Sequence, residues 1–492
     1  MHTKLIFLRE IKWQLWLYSS IVLAIAYITY FHNYHLPSAV FWDENYHIAS
    51  AQKYLEGVMY MEPHPPLGKL FIALGEYLLS PNEGINLNAF VQTDYIKVFP
   101  QGYSFAGVRF FPTLFATGCA VVFFLILFKI SQNTHLSFLF SSLFLFENGL
   151  IVHFRSAMLE STQLFFMLVA LLHFLWVLDK KEIPLKHYAW LGLWIGLGLA
   201  VKVNGLILIL LFPFLLGYEH KDHLKNILLI AKDGFIKALA FGGAMTAVLL
   251  IVFYIHTSLG ASLAKHFDYK ASPEYKEVIA KGQTANFAHF PLMLKDNFLF
   301  MKAYSAGVPR YDACKPGENG SLSTTWPFGN KSINYRWEKK DGKTLYLYLQ
   351  GNPLIWFSGI LGVILSLSLI ISYGISEQKT PHKRLFFILS FLTFVYVSYM
   401  IVMFNIERVM YLYHYVIPLI FSLFLFFAMV NYIYHHSITS GHKIFYMAVS
   451  LFVLEIIWTY LFFSPLTYYK PLSTLEFMDR IWFDFWKLAP IL

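Results

Sequence analysis

The chain is poor in charged residues. Asp, Glu, Lys and Arg make up only 14% of its 492 residues, whereas about 25% is typical of soluble globular domains. Hydrophobic residues make up 57% of the chain and aromatic residues 19%. This composition excludes an ordinary water-soluble domain and predicts a protein that is embedded in a lipid bilayer.

The chain is also poor in cysteine, with only two residues of this type. Cys119 lies in an apolar run and Cys314 in a polar segment, so their different membrane depths argue against a disulfide. Neither belongs to a CxxC pair of the kind that binds zinc. We therefore predict no cysteine metal site and assign no metal-ligating residue, although the sequence leaves a bound divalent metal open as a cofactor.

The sequence lacks a P-loop, a Rossmann glycine fingerprint and an Asp-x-Asp motif, which argues against a cytosolic nucleotide donor. Its formal charge of +9 could suggest nucleic acid as a partner. The basic residues, however, flank apolar runs; examples are Lys12, Lys129, Lys180, Lys383 and Arg384. This is the positive-inside pattern of membrane proteins, so we expect no nucleic-acid binding and a cytoplasmic N-terminus.

Apolar runs of about 17–25 residues are long enough to cross a bilayer as helices. Nine such runs are found near residues 13–31, 110–128, 136–153, 161–178, 235–255, 353–373, 385–404, 410–430 and 444–463. Because the first run lacks a small-residue cleavage site, we interpret it as a retained helix and not as a signal peptide.

The segment 188–217 is ambiguous, because it could cross the bilayer once as a long helix or twice as two short ones. Lys186 precedes it, and Lys221 and Lys232 follow it. Basic residues on both flanks favour two crossings, which would make eleven spans in all. The two long polar segments and the C-terminus would then lie on the same, extracytoplasmic side.

Those two polar segments run from about 32 to 106 and from 256 to 352. They are too long for simple turns, and such backbone must lie outside the hydrocarbon or line a cavity. We predict an N-terminal transmembrane catalytic module over 1–255, a large extracytoplasmic loop over 256–352, and a C-terminal transmembrane module with an extracytoplasmic tail over 353–492.

The densest polar motif is Asp43-Glu44, followed by a second motif that runs from His64 through two prolines to Lys69. Adjacent residues point in different directions, so we expect Asp43 to face a reacting group and Glu44 to orient a neighbour. The alternative is a solvated loop whose acids cap a helix. The two prolines predict an extended backbone before a new helix, with Lys69 in its first turn.

Charged residues also occur at the predicted outer ends of other spans. Arg155 and Glu160 belong to the block 147–160, where charges at the membrane boundary are functional candidates and the alternative is that the two simply pair. The other candidates are Lys202, Arg408 and His414. Transfer from a sugar phosphate needs a carboxylate to take the acceptor's proton and cations to neutralise the leaving phosphate, which these residue types supply.

These motifs, in this order over nearly the whole chain, resemble those of the protein O-mannosyltransferase family. The segments that carry the resemblance are Asp43-Glu44, His64–Lys69, Glu147–Glu160, Lys202–Gly205, His256–Gly260, Thr325–Pro327, Gly351–Pro353, Tyr413–Tyr415 and Ser464–Tyr468. Each is weak alone, and the ordered set is specific.

The resemblance implies an all-α polytopic membrane protein of the GT-C glycosyltransferase fold, with about eleven transmembrane helices and two large extracytoplasmic loops. It implies inverting transfer of mannose from a dolichyl- or polyprenyl-phosphate donor to Ser or Thr of an acceptor protein or peptide. Carried over by position, Asp43 is the base and Glu44 a supporting acid of the catalytic pair. Arg155 is the donor-phosphate ligand, and its neighbours are Lys202, Arg408 and His414; His64, Lys69 and Glu160 support the site.

The sequence departs from the family in places. Glu160 stands where Asp is common, and the segment 256–352 is too short to hold the MIR domain of eukaryotic members. The resemblance is therefore to a bacterial-type enzyme of the plasma membrane, with its active site facing the periplasm or exterior, and a dimer is left open. The alternatives are a GT-C enzyme for another lipid-linked sugar, such as an aminoarabinose transferase acting on lipid A, and a lipid or sugar transporter.

Overall fold

The computed structural model describes residues 2–222, 227–265, 268–376 and 380–491. Its helices up to residue 199 are α1 His2–Ala26, α2 Glu44–Leu55, α3 Leu67–Leu79, α4 Asn88–Val91, α5 Ala106–Ser131, α6 Thr134–Phe140, α7 Ser142–Leu145, α8 Asn148–Phe154, α9 Glu160–Val177 and α10 Leu185–Leu199. A π-helical turn, Tyr27–Phe31, extends α1.

The later helices are α11 Leu211–Glu219, α12 Ile227–Leu259, α13 Pro273–Ala280, α14 Phe290–Gly307, α15 Pro353–Ile375, α16 Lys383–Phe404, α17 Val416–Ile433, α18 His435–Thr439, α19 Lys443–Thr467 and α20 Thr474–Met478. The strands are β1 Ile333–Lys340, β2 Lys343–Leu349 and β3 Pro471–Leu472. Short 3₁₀ helices occur at Val203–Leu210, Phe287–His289, Ser323–Phe328, Leu412–Tyr415 and Asp484–Trp486. The fold is thus mainly helical, as the sequence predicts.

All nine predicted apolar runs form helices in the described residues. Eight of these helices are long and apolar enough to cross a membrane. The remaining run, 136–153, forms a pair of helical pieces, Thr134–Leu145 and Asn148–Phe154, with a bend of 63° between them. The chain is therefore an integral membrane protein, with up to nine spans by this test if the bent pair is one span.

The ambiguous segment 188–217 forms two helical pieces and not one long helix. Helix α10 has 15 residues, and the 3₁₀ helix Val203–Leu210 continues directly into α11. The break lies at Ala200–Lys202, whereas the sequence predicts it at Lys202–Gly205; of that stretch, Val203–Gly205 already belong to the 3₁₀ helix. Both pieces are short for a bilayer crossing, so the total of eleven spans stays a prediction.

The chain folds as two compact units that interleave along the sequence. One contains both ends of the chain and consists of Met1–His32, Thr117–His153 and Pro309–Leu492; we call it the terminal unit. The other, the internal unit, consists of Asn33–Ala116 and Phe154–Val308. The predicted three-part division at residues 255 and 352 stays a prediction.

The two long polar segments contain regular structure. Helices α2, α3 and α4 lie in the first segment, and α13, α14 and the hairpin of β1 and β2 lie in the second. The helix starts follow local rules: Ser272 caps α13 and Asn352 caps α15, and a proline follows each cap residue. A side-chain oxygen at the cap accepts an otherwise unpaired N–H, and proline fits the first helical position.

Candidate active site

A fully buried ion pair lies where the first polar motif meets helix α5. Glu44 and Arg109 are both 0% exposed. The Arg109 Nε and Nη2 donate to the two oxygens of the Glu44 carboxylate at 2.7 and 2.8 Å. The backbone N–H groups of Phe41 and Ala157 donate to the same carboxylate at 3.1 and 2.8 Å. A buried carboxylate needs this number of partners, and through them Glu44 connects α2 to the segment that follows α8.

Arg109 was missed by the sequence analysis. Besides Glu44, its guanidinium donates to the backbone carbonyls of His35, Pro37 and Ala39 at 2.8–2.9 Å. It therefore holds the chain that enters α2 from the first span. The signal that could have revealed it is an arginine at the edge of an apolar run, since such charges need a specific partner.

Asp43 immediately precedes α2, at its N-cap position. The side chain is half-buried and makes no capping hydrogen bond. The Asp43 backbone carbonyl accepts from the N–H groups of Tyr46 and His47 at 3.1 and 3.3 Å. The preceding residue, Trp42, has a φ of 52°, which is unusual for a bulky side chain. The Asp43 carboxylate is thus not a helix cap, and its role as base stays a prediction.

Three of the charged motifs meet at Gly68. The Leu67 N–H donates to the Ala200 carbonyl at 3.0 Å, which connects the start of α3 to the turn after α10. A Cβ added at Gly68 would lie 2.7 Å from Leu159 Cδ2 and 3.1 Å from Val201 Cγ1. An added Cβ would therefore displace the Leu159 side chain at this close approach, which brings together the segments that precede Lys69, Glu160 and Lys202.

Lys202 and Glu160, predicted as a phosphate ligand and a supporting acid, form an ion pair. The Lys202 Nζ lies 2.6 Å from Glu160 Oε1, and the side chains are 11% and 12% exposed. Gln163 of α9 fixes the same turn by donating to the Lys202 carbonyl at 2.7 Å and to the Asn204 side chain at 2.8 Å. The turn that carries Lys202 is therefore held by α9.

Arg155, the predicted donor-phosphate ligand, follows directly after α8 and is buried. Its Nη2 donates to the Asn33 carbonyl at 2.6 Å. The sequence analysis left open that Arg155 simply pairs with Glu160. In the structure Arg155 binds the Asn33 carbonyl, and Glu160 forms an ion pair with Lys202.

His64 and Lys69 also lie in the internal unit. Lys69 is 1% exposed and forms an ion pair with Glu62, which also accepts from the Ser50 hydroxyl. Burial lowers the pKa of His64 well below its ordinary value, and the nearby charges of Lys202 and Lys69 lower it further. Both effects favour the neutral form of the His64 imidazole, which lies near the charges of Lys202 and Lys69.

A second buried lysine was not predicted. Lys53 of α2 is 1% exposed; it forms an ion pair with Asp94 and donates to the Tyr269 hydroxyl at 2.7 Å. Burial lowers the pKa of Lys53, and the charge of Asp94 opposes that effect. These contacts connect the first polar segment to the second, within the internal unit.

Arg408 and His414 belong to the terminal unit, whereas the other seven predicted site residues belong to the internal unit. Arg408 is half-buried, and its backbone forms an antiparallel bridge with Arg310. The His414 ring stacks on Trp326 with 6.1 Å between centroids, and its Nδ1 lies 3.0 Å from the Tyr411 carbonyl oxygen. Their predicted role in binding phosphate remains untested by these contacts.

Glu147, at the start of the motif that contains Arg155, is buried and holds neighbouring segments together through hydrogen bonds. It is 0% exposed and accepts from the backbone N–H of Asn352 at 2.8 Å and from the Trp356 indole at 3.0 Å. A Cβ at Gly351 would lie 2.0 Å from the Trp356 indole nitrogen. Two of the motifs that carry the resemblance, Glu147-Asn148 and Gly351-Asn352-Pro353, are thus a packing junction in the terminal unit.

One group of His and acidic side chains in the described residues is close enough to hold a metal ion: Glu219, His220 and Asp233. The Lys237 ammonium, however, donates to both Glu219, at 2.7 Å, and Asp233. The cation that these acids bind is therefore a lysine. This cluster does not involve any residue of the predicted site.

Comparison with known protein families gives two matches. Residues 20–259 match the family model described as "Dolichyl-phosphate-mannose-protein mannosyltransferase". Residues 311–486 match the one described as "C-terminal four TMM region of protein-O-mannosyltransferase". Together they cover most of the chain and include every predicted site residue.

Similar proteins include Protein O-mannosyl-transferase 1 of Danio rerio, which is 26% identical over 68% of this chain and 48% of its own length. Dolichyl-phosphate-mannose–protein mannosyltransferase 1 of Candida albicans is 28% identical over 42% of this chain and 23% of its own length. The chain therefore spans about half or less of the curated relatives it matches.

Among solved structures, the S. cerevisiae protein O-mannosyltransferase Pmt1-Pmt2 complex bound to the sugar donor has a TM-score of 0.74 at 15% identity, over 97% of this chain and 92% of that chain. The oligosaccharyltransferase AglB of Archaeoglobus fulgidus has a TM-score of 0.51 at 11% identity, over 96% of this chain and 58% of that chain. At these identities the likeness shows the fold, which is the GT-C fold.

Proposed function

Because the chain belongs to the dolichyl-phosphate-mannose-protein mannosyltransferase family, we propose that it transfers mannose from a polyprenyl- or dolichyl-phosphate donor to Ser or Thr hydroxyls of proteins. The named activity of its relatives supports this proposal. The departures of the sequence from eukaryotic members favour a bacterial-type enzyme that acts at the outer face of the plasma membrane.

The observation that carries the proposal is that Glu44 connects the two segments that contain the predicted reacting groups. Its carboxylate binds the Ala157 N–H, two residues after Arg155, while Glu44 itself directly follows Asp43. One buried acid therefore connects the segment of the predicted base to the segment of the predicted phosphate ligand. Such fixed positioning is what a transfer between two bound substrates needs.

In the proposed reaction the acceptor hydroxyl oxygen attacks the anomeric carbon of the mannose from the side opposite the phosphate. The bond from that carbon to the phosphate oxygen breaks, and the configuration inverts. Asp43 takes the hydroxyl proton as general base. The negative charge that develops on the departing phosphate is stabilised by Arg155, whose planar fork can donate two parallel hydrogen bonds.

The remaining predicted residues would act around this centre. Lys202 adds a positive charge for the phosphate, and Glu160 orients it through their ion pair. Arg408 and His414 keep the phosphate-binding role that the resemblance implies. Lys69 would support the site through its ion pair with Glu62, and His64 would lie beside Lys69 and Lys202 without adding a further positive charge. The long isoprenoid tail would remain in the bilayer.

Transfer assays with purified enzyme in lipid nanodiscs test the proposal. The donors are radiolabelled polyprenyl-phosphate mannose and polyprenyl-phosphate aminoarabinose; the acceptors are a Ser/Thr peptide, its Ala/Val counterpart and lipid A. We expect label only on the Ser/Thr peptide and only from the mannose donor. Label on lipid A, or transport of intact donor across vesicles without transfer, would reject the proposal.

The native cysteines test the predicted orientation without any engineering. Cys314, in the second polar segment, is exposed, and Cys119 is buried. A membrane-impermeant maleimide applied to intact cells should label the wild-type protein but not Cys314→Ser. If labelling requires opened cells, the second segment faces the cytoplasm and the eleven-span topology is wrong.

A further inference from the structure

Helix α19 of the terminal unit carries an acid at its midpoint. Glu455 lies halfway along Lys443–Thr467, a candidate membrane span that is only 22% buried within the chain. The Glu455 side chain is on the exposed part of this span. In the part of the chain that the structure describes, no hydrogen bond or ion pair joins the Glu455 carboxyl group to another group.

An acid at this depth needs a polar partner. A helix of 25 residues is about 37 Å long, and the hydrocarbon core of a bilayer is about 30 Å thick. The midpoint of α19 therefore lies close to the centre of the hydrocarbon. Ionisable residues within membrane spans almost always face other protein or a water-filled cavity, and they pair with another polar group. An exposed acid here thus predicts contact with a further polypeptide.

The exposed face beside Glu455 has the spacing of a helix–helix seam. Large apolar side chains recur along it at alternating intervals of three and four residues. Each is 56–65% exposed, and they are Ile444, Met447, Leu451, Leu454, Trp458 and Leu461. This is a heptad pattern, in which such residues occupy the a and d positions of two helices that cross at about 20°. Contact with lipid alone requires no such spacing, because any apolar side chain can face lipid tails.

The polar residues beside this seam complement each other across two copies of the chain. With Leu451 at a and Leu454 at d, Glu455 is at e, and Ser450, which is also exposed, is at the preceding g. Two copies inserted with the same topology have parallel α19 helices. In a parallel pair the g residue of one helix lies beside the next e residue of the other. The Ser450 hydroxyl of each copy can therefore donate to Glu455 of the other, and a two-fold axis makes this contact twice.

We infer that α19 is an interface within the membrane between two copies of this chain, joined by two symmetric Ser450–Glu455 hydrogen bonds. The apolar side chains of the seam pack between the two helices, and the Glu455 carboxyl group leaves the lipid. Hydrogen bonds between helices favour association in a bilayer, where apolar side chains have no hydrophobic driving force to leave the lipid tails. The inference is independent of the proposed function, because it uses no predicted site residue.

Disulfide cross-linking in intact membranes tests the interface. In a Cys314→Ser background, which leaves the buried Cys119, Leu454→Cys places one thiol on the seam. The matched control is Ile364→Cys on α15, another span of the terminal unit, where Ile364 is 55% exposed. With copper phenanthroline we expect at least about tenfold more covalent dimer for Leu454→Cys, because a disulfide needs Cα atoms within about 7 Å of each other. Equal cross-linking of the two variants would indicate random collision and overturn the inference.

The monomer–dimer equilibrium in liposomes tests the hydrogen bonds. Single-molecule photobleaching of the labelled full chain, at several protein-to-lipid ratios, gives the dissociation constant. Glu455→Leu and Ser450→Ala should each raise it about tenfold, and the double variant should add little, because both changes remove the same contact. Glu455→Gln keeps an acceptor oxygen and should retain most of the affinity. Ser368→Ala, the same change at an exposed serine of α15, should behave like wild type.

The other outcomes contradict the inference in separate ways. If wild type is monomeric at all ratios, or if Glu455→Leu and Ser450→Ala dimerise like Ser368→Ala, the inference is wrong. If Leu454→Cys cross-links in cells to a different membrane protein, the face serves that partner and not a second copy. Mannose transfer is measured on the same preparations: a monomer that transfers mannose overturns this inference alone, and a dimer that transfers nothing overturns the proposed function alone.

Discussion

Glu44 and Glu147 are both 0% exposed acids within motifs that resemble those of the family, but their environments differ. Glu44 binds a cation, Arg109, and also accepts two backbone N–H groups. Glu147 binds neutral donors, namely backbone N–H groups and the Trp356 indole. Glu44 therefore has a full countercharge, and Glu147 is held by dipoles alone.

The difference shows that a buried acid in a motif does not by itself indicate chemistry. Glu147 connects α8 to the start of α15, far along the sequence, and so has a packing role. Glu44 connects the segments that carry Asp43 and Arg155, and so would position the predicted reacting groups. Neither carboxylate contacts solvent, which leaves Asp43, half-buried and not used as a cap, as the acid suited to proton transfer.

The largest expected effect is on stability at Glu44. Glu44→Gln leaves the Arg109 charge buried without its countercharge, which should cost about 3–5 kcal/mol. Glu147→Gln keeps one carbonyl oxygen as acceptor and leaves no buried charge, so it should cost about 1–3 kcal/mol. Thermal unfolding of the two variants in the same detergent measures the difference.

A double variant separates charge from packing in that comparison. Glu44→Gln with Arg109→Met removes both charges, and it should recover a large part of the stability that Glu44→Gln loses. Equal unfolding temperatures for Glu44→Gln and Glu147→Gln would mean that the countercharge contributes nothing, and the contrast between the two acids would disappear.

Next in size is the effect of Asp43→Asn on turnover. If Asp43 is the base, the amide cannot accept the proton, and kcat should fall at least about 100-fold, the usual scale for a positioned acid or base. Because the Asp43 side chain makes no capping bond, folding and donor binding should be retained. Near-normal turnover would move the role to another group.

Arg155→Lys should have a smaller effect, on the donor. The ammonium keeps the charge but loses the fork geometry, and losing a charge-assisted bond costs roughly 1.5–3 kcal/mol, about a ten- to hundredfold loss of donor affinity. Arg384→Lys is the control with the same change of side chain, since Arg384 flanks an apolar run on the predicted cytoplasmic side. Unchanged donor affinity and turnover in Arg155→Ala would show that Arg155 does not bind the phosphate.

Much of the fold could be predicted because length and hydropathy determine which segments can cross a bilayer. The nine apolar runs were found in this way, whereas the two pieces of 188–217 were favoured by the basic residues that flank the segment. The bend between Leu145 and Asn148 was not, because it depends on tertiary partners of Glu147 and Asn148 that are distant in sequence. In the polar segments the two prolines before Lys69 predicted the start of α3, which begins at Leu67. The other helices and the hairpin were missed because they lack long apolar runs.

For the candidate site, the sequence could supply residue types but not their partners. Lys202 and Glu160 were both predicted, yet their pairing depends on the packing of α9 against the turn at Lys202. Arg109 was missed because it lies at the edge of an apolar run, where a basic residue usually marks the end of a membrane span. Only the fold shows that it neutralises Glu44, which lies 65 residues away in the sequence.

The smallest predicted effect concerns His64 and the pH dependence of stability. Its pKa in the folded protein lies well below the ordinary value, because of burial first and then of the charges of Lys202 and Lys69. An unfolded histidine has a pKa of about 6.5. Between the folded pKa and pH 6.5 the unfolded chain therefore binds a proton that the folded protein does not bind.

The sign follows from this difference: stability is complete above about pH 6.5 and decreases as the pH falls, by at most about 1.4 kcal/mol per pH unit for one proton. His64→Gln removes the titrating group, so its unfolding temperature should fall less than that of wild type between pH 7.5 and 5.5. The exposed His442 supplies the control, because His442→Gln should keep the wild-type pH dependence. If His64→Gln also keeps the wild-type pH dependence, the pKa of His64 is not lowered in the folded protein, and burial and the charges of Lys202 and Lys69 do not have the expected effect.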